Sequence, residues 1–142
     1  MDGNTELLNE LYQNAQMGVN TIGQLIDITD STEFKQHLQA QYAEYREMCG
    51  EAEALLKRKG YDEKGIGTFA KVRTYLMINM QTLSDKSPSH IAEMLMVGSN
   101  MGIINAIKNL KKYEHADKES LKLLKRLLRF EENNVQRLKA FL

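Results

Sequence analysis

Proline occurs once in this chain, at Pro88, and cysteine once, at Cys49. A single cysteine cannot close an intrachain disulfide, which removes the disulfide-stapled scaffolds of small secreted domains. Net charge is missing as well: nineteen basic and nineteen acidic side chains cancel. No overall field therefore draws the molecule toward nucleic acid or an anionic membrane. No apolar segment follows a basic start, and no apolar run approaches the roughly 20 residues of a membrane span. The expectation is a cytoplasmic protein without a membrane partner. Histidine is limited to His37, His90 and His115. A glycine-rich phosphate loop, a recognisable Ser/His/Asp arrangement and a Cys/His zinc spacing are all lacking, which disfavours the enzyme classes built on them.

Helix formers remain. Leu, Met, Ala, Glu, Lys and Gln dominate over β-branched residues, and these side chains lose little rotamer freedom in a helix. With 42% hydrophobic and 27% charged residues in 142, the chain has the composition and length of one all-α domain, residues 1–142. From Asn4 to Thr29 the positions Leu8, Leu11, Ala15, Gly18, Ile22 and Leu25 step by three or four, the spacing of one buried helix face. Asp30 with Glu33 three residues on predicts a capping-box start for a second helix carrying Phe34, Leu38, Tyr42, Tyr45, Cys49, Ala52 and Leu56. Gly60 is placed to end it in a left-handed turn.

A further helix is expected over Asp62–Leu83 through Ile66, Phe69, Val72 or Arg73, Leu76, Met80 and Leu83. Ser87-Pro88 is a restart signal, since serine caps exposed amides and proline needs no amide partner in a first turn. The helix from there to about Tyr113 is apolar around much of its circumference. Its Gly98 and Gly102 predict close backbone contact with a neighbour. The last helix, from about Asp117, carries Leu121, Leu124, Leu128, Glu131, Val135, Leu138 and Leu142 on one stripe, interrupted by a single charge. Short connections make each end of the chain an antiparallel helical hairpin.

The opening Leu8-Asn9-Glu10-Leu11 with Gly18 seven residues on, the Gly60 break, the extra helix through Phe69 and Leu83, and the Ser87-to-Gly98 restart resemble the ferritin-like superfamily, in particular its small bacterial four-helix-bundle proteins. The resemblance implies two antiparallel hairpins joined by a crossover helix. It also implies a place to look for iron or manganese: one carboxylate from each of two helices and a Glu-x-x-His pair from each of the others. The first helix offers Ala15, Gly18 and Ile22 there, and the fourth Val97, Ser99, Asn100 and Met101, with no carboxylate in either. The second has Glu44-x-x-Glu47 and the last Glu131-x-x-Asn134. No metal site, cofactor or catalytic residue is therefore expected; the alternative is a reduced iron or manganese site on Glu44, Glu47 and Glu131.

Glu131 needs a partner in any case, because an unpaired carboxylate on a core stripe costs several kcal/mol. Arg46, Arg73, Tyr45 and Tyr42 are the candidates, and Gln41, Asn100 and Asn105 are candidates for the same polar layer. Charge is also unevenly placed: residues 1–54 hold ten acids and two bases, residues 55–142 nine acids and seventeen bases. Lys118, Lys122, Lys125, Arg126 and Arg129 form a basic strip on the last helix. A solvated face, or attraction to the acidic first hairpin within the bundle or across a homodimer, is favoured over a phosphate or nucleic-acid contact, since no aromatic residue interleaves with the strip. The function expected is that of a non-catalytic interaction or stress-associated protein, acting on a protein partner or on itself.

Overall fold

The computed structural model describes residues 3–61 and 70–142, and every regular element among them is helical. They form α1 (Gly3–Ile28), α2 (Thr32–Arg58), α3 (Ala70–Gln81), α4 (Pro88–Lys112) and α5 (Lys118–Leu138), closed by a 3₁₀ turn over Lys139–Phe141. Ser87 caps α4 by accepting from the His90 amide, with Pro88 in the first turn. Asp117 caps α5 by accepting from the Ser120 amide. Gly60 ends α2 at φ 81°, the left-handed conformation that only glycine adopts without strain. The cap of α2 is Ser31, which accepts from the Phe34 amide, and not the expected Asp30. Ile66 and Phe69, expected on the third helix, lie outside the described residues.

Cross-helix contacts fix the directions. Gly23 meets Tyr42, Gly18 meets Tyr45, and Gln16 bonds Cys49, so α1 and α2 run antiparallel. Tyr113 donates to Glu6, Asn109 to Glu10, and Gly102 faces Asn14, which sets α4 antiparallel to α1. Lys59 pairs with Asp117, Arg58 with Glu119 and Arg126 with Glu51, which sets α5 antiparallel to α2. Buried apolar residues of all five helices join in one core cluster, with Phe34, Leu38, Ile91 and Leu124 among its deepest members and Val72 and Leu76 supplied by α3.

Two faces differ from the periodicity. On α5 the buried set is Ser120, Leu123, Leu124, Leu127, Glu131, Asn134 and Leu138. Leu121, Leu128 and Val135 are half-buried and Leu142 is exposed. The helix is turned so that its inward face includes two small polar residues that a purely apolar stripe passes over. On α4 the broad burial expected is limited to one side, leaving Ile104 55% and Ile107 41% exposed.

Glycine matters most at Gly18. A Cβ there would lie 2.6 Å from the Tyr45 ring, so the aromatic side chain rests directly on the α1 backbone. Gly50, in α2, has nothing among the described residues within 4 Å of such an atom. Gly18→Ala should therefore destabilise by about 1–3 kcal/mol through overpacking, while Gly50→Ala should stabilise by up to about 1 kcal/mol through helix propensity. Urea unfolding of both variants checks the pair; a stabilised Gly18→Ala contradicts the packing described.

Candidate functional site

Glu131, on the inward face of α5, is 1% exposed. Across the core, the Tyr45 hydroxyl of α2 donates to its Oε1. Ser99 of α4 and Asn134, one turn further along α5, act on the same carboxyl. Space for the second oxygen comes from Gly102: a Cβ at that position would stand 3.2 Å from Glu131 Oε2 and 3.1 Å from Asn14 Nδ2. Gly102 thus admits two polar side chains, where the sequence predicted contact with a helix backbone, and Gly98 merely makes ordinary contact with Leu76. Phe130 closes the Tyr45 ring from its edge, at 4.8 Å between centroids.

A cavity of about 30 Å³ adjoins this layer, lined on its polar side by Asn14, Gln41, Ser99 and Glu131 and on its apolar side by residues that include Val72 and Leu76. It has room for one or two water molecules. Asn14 Nδ2 is buried without a hydrogen-bond partner among the described residues, so its amide presents a donor to the interior.

Burial dominates the electrostatics. It pushes the Glu131 carboxyl up to about 7, against the smaller opposing pull of Tyr45, Ser99 and Asn134. Burial, and then the Glu131 charge, drive the Tyr45 phenol well above its ordinary range. The pair therefore sits at neutral pH as a phenol that keeps its proton beside a carboxyl near the midpoint of its titration.

Glu44 and Glu47 lie elsewhere. Both pair with Arg126 Nη2, at 2.7 and 3.1 Å, and Glu51 pairs with Nη1 of the same guanidinium. The three residues of the reduced metal site are thus divided: Glu131 joins Tyr45 in the core, whereas Glu44 and Glu47 join Arg126 on the α2–α5 surface. No group of three or more His, Cys, Asp or Glu residues placed to hold a metal occurs among the described residues. His37 stacks on Phe34 at the end of the bundle, with the Phe141 ring tilted at 45° against it. Burial, with Arg137 nearby, lowers its pKa. His115 is exposed beside Glu114. Cys49 is buried, as its place on the apolar side of α2 predicts, and its thiol donates to Gln16 Oε1 at 3.2 Å.

Of the partners weighed for Glu131, Tyr45 is the one joined to it, while Arg46 and Arg73 are exposed and Tyr42 packs on Gly23. Gln41 borders the layer; Asn100 is exposed, and Asn105 stands half-buried one residue from Ala106 beside a separate small gap. Asn14 belongs to the layer although the sequence did not single it out. No family model, curated protein or solved structure matches the chain.

A carboxyl with a folded pKa of about 7 and an unfolded one of 4.5 holds a proton in the native state that the unfolded chain releases between those values. Stability then falls as pH rises through that window, by on the order of a few kcal/mol. His37, lowered by burial, works in the opposite sense below pH 6.5, and Glu131→Gln retains it. Between pH 5 and 7.5 the native protein should lose stability relative to Glu131→Gln in urea titrations; parallel profiles contradict the assignment.

Proposed function

We propose that the protein is a non-catalytic bundle of the ferritin-like kind that works through its surface, its interior polar layer serving to fix how the helices pack. The observation that carries this reading is where the carboxylates go. Glu131 is joined to a phenol, and Glu44, Glu47 and Glu51 surround one guanidinium. Hard cations in a helical bundle need several carboxylate oxygens converging from facing helices, and here one oxygen of each of these carboxyls is already held by a protein donor.

The helix directions support the ferritin-like part. α1 opposes α2, α4 opposes α1, and α5 opposes both α4 and α2, with α3 lying in the connection between the two hairpins. A buried Glu–Tyr bond suits a register-setting role, because sliding α5 along α2 by one turn breaks it and strands a carboxyl in an apolar interior. Surface action is supported by the exposed Ile104 and Ile107 on α4 and by the cationic α5 face.

Anaerobic loading with iron(II) or manganese(II), followed by desalting and elemental analysis, tests the reading. Less than stoichiometric metal is expected, unchanged in Glu131→Ala. One or two equivalents per chain, lost in Glu131→Ala, would overturn it in favour of the reduced carboxylate site.

A further inference from the structure

We propose that the groove between α2 and α5 is a docking site for an acidic amphipathic helix of a partner protein. The proposal rests on the surface-acting function above and names the class of partner. The groove encloses about 960 Å³, with Leu55 of α2 and Leu121 and Leu123 of α5 among the residues that line it. Among the described residues six cations line it against two acids, Glu51 and Glu119. Both acids are already engaged, Glu51 by Arg126 and Glu119 by Arg58 at 2.6 Å.

Four cations remain: Lys118, Lys122, Lys125 and Arg129 have no ion pair among the described residues. They follow one another at intervals of four, three and four along α5, a stripe of roughly 16 Å at 1.5 Å per residue. Leu121 and Leu128, both half-buried, run beside that stripe. An apolar floor with a cationic wall is the complement of a helix bearing leucine-type residues on one face and carboxylates at matching three/four spacing on the next.

Other occupants fit less well. A nucleic acid strand would use the cations but gain nothing from three leucines, and among the described residues no aromatic side chain lines the groove for base stacking. A flat bilayer surface cannot follow a floor recessed between two helices. A second copy of this chain has an acidic first half, yet several of its acids are committed: Glu44, Glu47 and Glu51 to Arg126, and Glu6 and Glu10 to Tyr113 and Asn109. The remaining acids of that half without an ion pair among the described residues, Asp27, Asp30 and Glu33, straddle the α1–α2 turn and share no single helix face. A foreign acidic helix is the occupant that can present carboxylates at the matching spacing.

Fluorescence anisotropy with the full chain tests this, using a labelled peptide of about four helical turns with leucines on one face and glutamates on the adjoining one. Controls are a permuted peptide of the same composition, polyglutamate, and single-stranded RNA of similar length. The patterned peptide should bind at least about tenfold more tightly than any control. Lys122→Glu with Lys125→Glu should weaken it about tenfold or more, with an unchanged thermal melt because both side chains are exposed. Leu121→Gln should weaken it too; if that variant fails to fold, the charge variant still decides. Equal binding of the permuted peptide or polyglutamate, tighter binding of RNA, no binding at all, or self-association abolished by the lysine changes would each overturn the proposal. Metal loading judges the surface-acting reading separately, so either can fail alone.

Discussion

A carboxyl group in the middle of an apolar bundle must be neutral, bonded, or absent, and the Tyr45–Glu131 hydrogen bond is how this protein meets that demand. The rest of the interior is arranged around it. Gly18 lets the Tyr45 ring lie against α1, Gly102 opens α4 for the free carboxyl oxygen and for Asn14, and Ser99 supplies a third polar neighbour. Gly102 and Ser99 find a packing reason in Glu131: the first leaves room for its carboxyl, and the second sets a hydroxyl beside it. The bond also ties the hairpins together, since Tyr45 belongs to the first and Glu131 to the second.

Much of the helical organisation could be read before the structure. Ser87 and Pro88 start α4, Gly60 ends α2, and Asp117 caps α5 because each motif satisfies amides or carbonyls locally, independently of what packs nearby. The errors have a common cause in ambiguity between neighbours. Asp30 and Ser31 both offer a capping oxygen, and the choice depends on how the chain enters the turn. On α5, leucines at 121, 123, 124, 127 and 128 allow more than one inward stripe; the true one is selected by Ser120 and Asn134, polar residues that simple periodicity discards. Glu131 was legible because it alone interrupts an apolar stripe with charge. Its partner was legible only as one of four, and Asn14 not at all, because contact across three helices leaves no local trace.

The opposite charges of the two halves are partly neutralised where α5 lies on α2. Arg126 draws in Glu44, Glu47 and Glu51, and Arg58 and Lys59 reach Glu119 and Asp117 near the other end of the contact. Each exposed pair contributes little alone, but together they align the hairpins in the same register as the buried bond. Lys118, Lys122, Lys125 and Arg129 continue the basic strip beyond the reach of those acids. Interior and surface thus have distinct tasks: the core carboxyl sets the packing, and the remaining cations face outward.

The protonation state of Glu131 bears on all of this most directly. A carboxyl carbon-13 titration of the folded protein, with Glu131→Gln identifying the resonance, should place its midpoint near 7. A midpoint at the ordinary glutamate value would contradict an interior organised around an acid whose burial outweighs its hydrogen bonds.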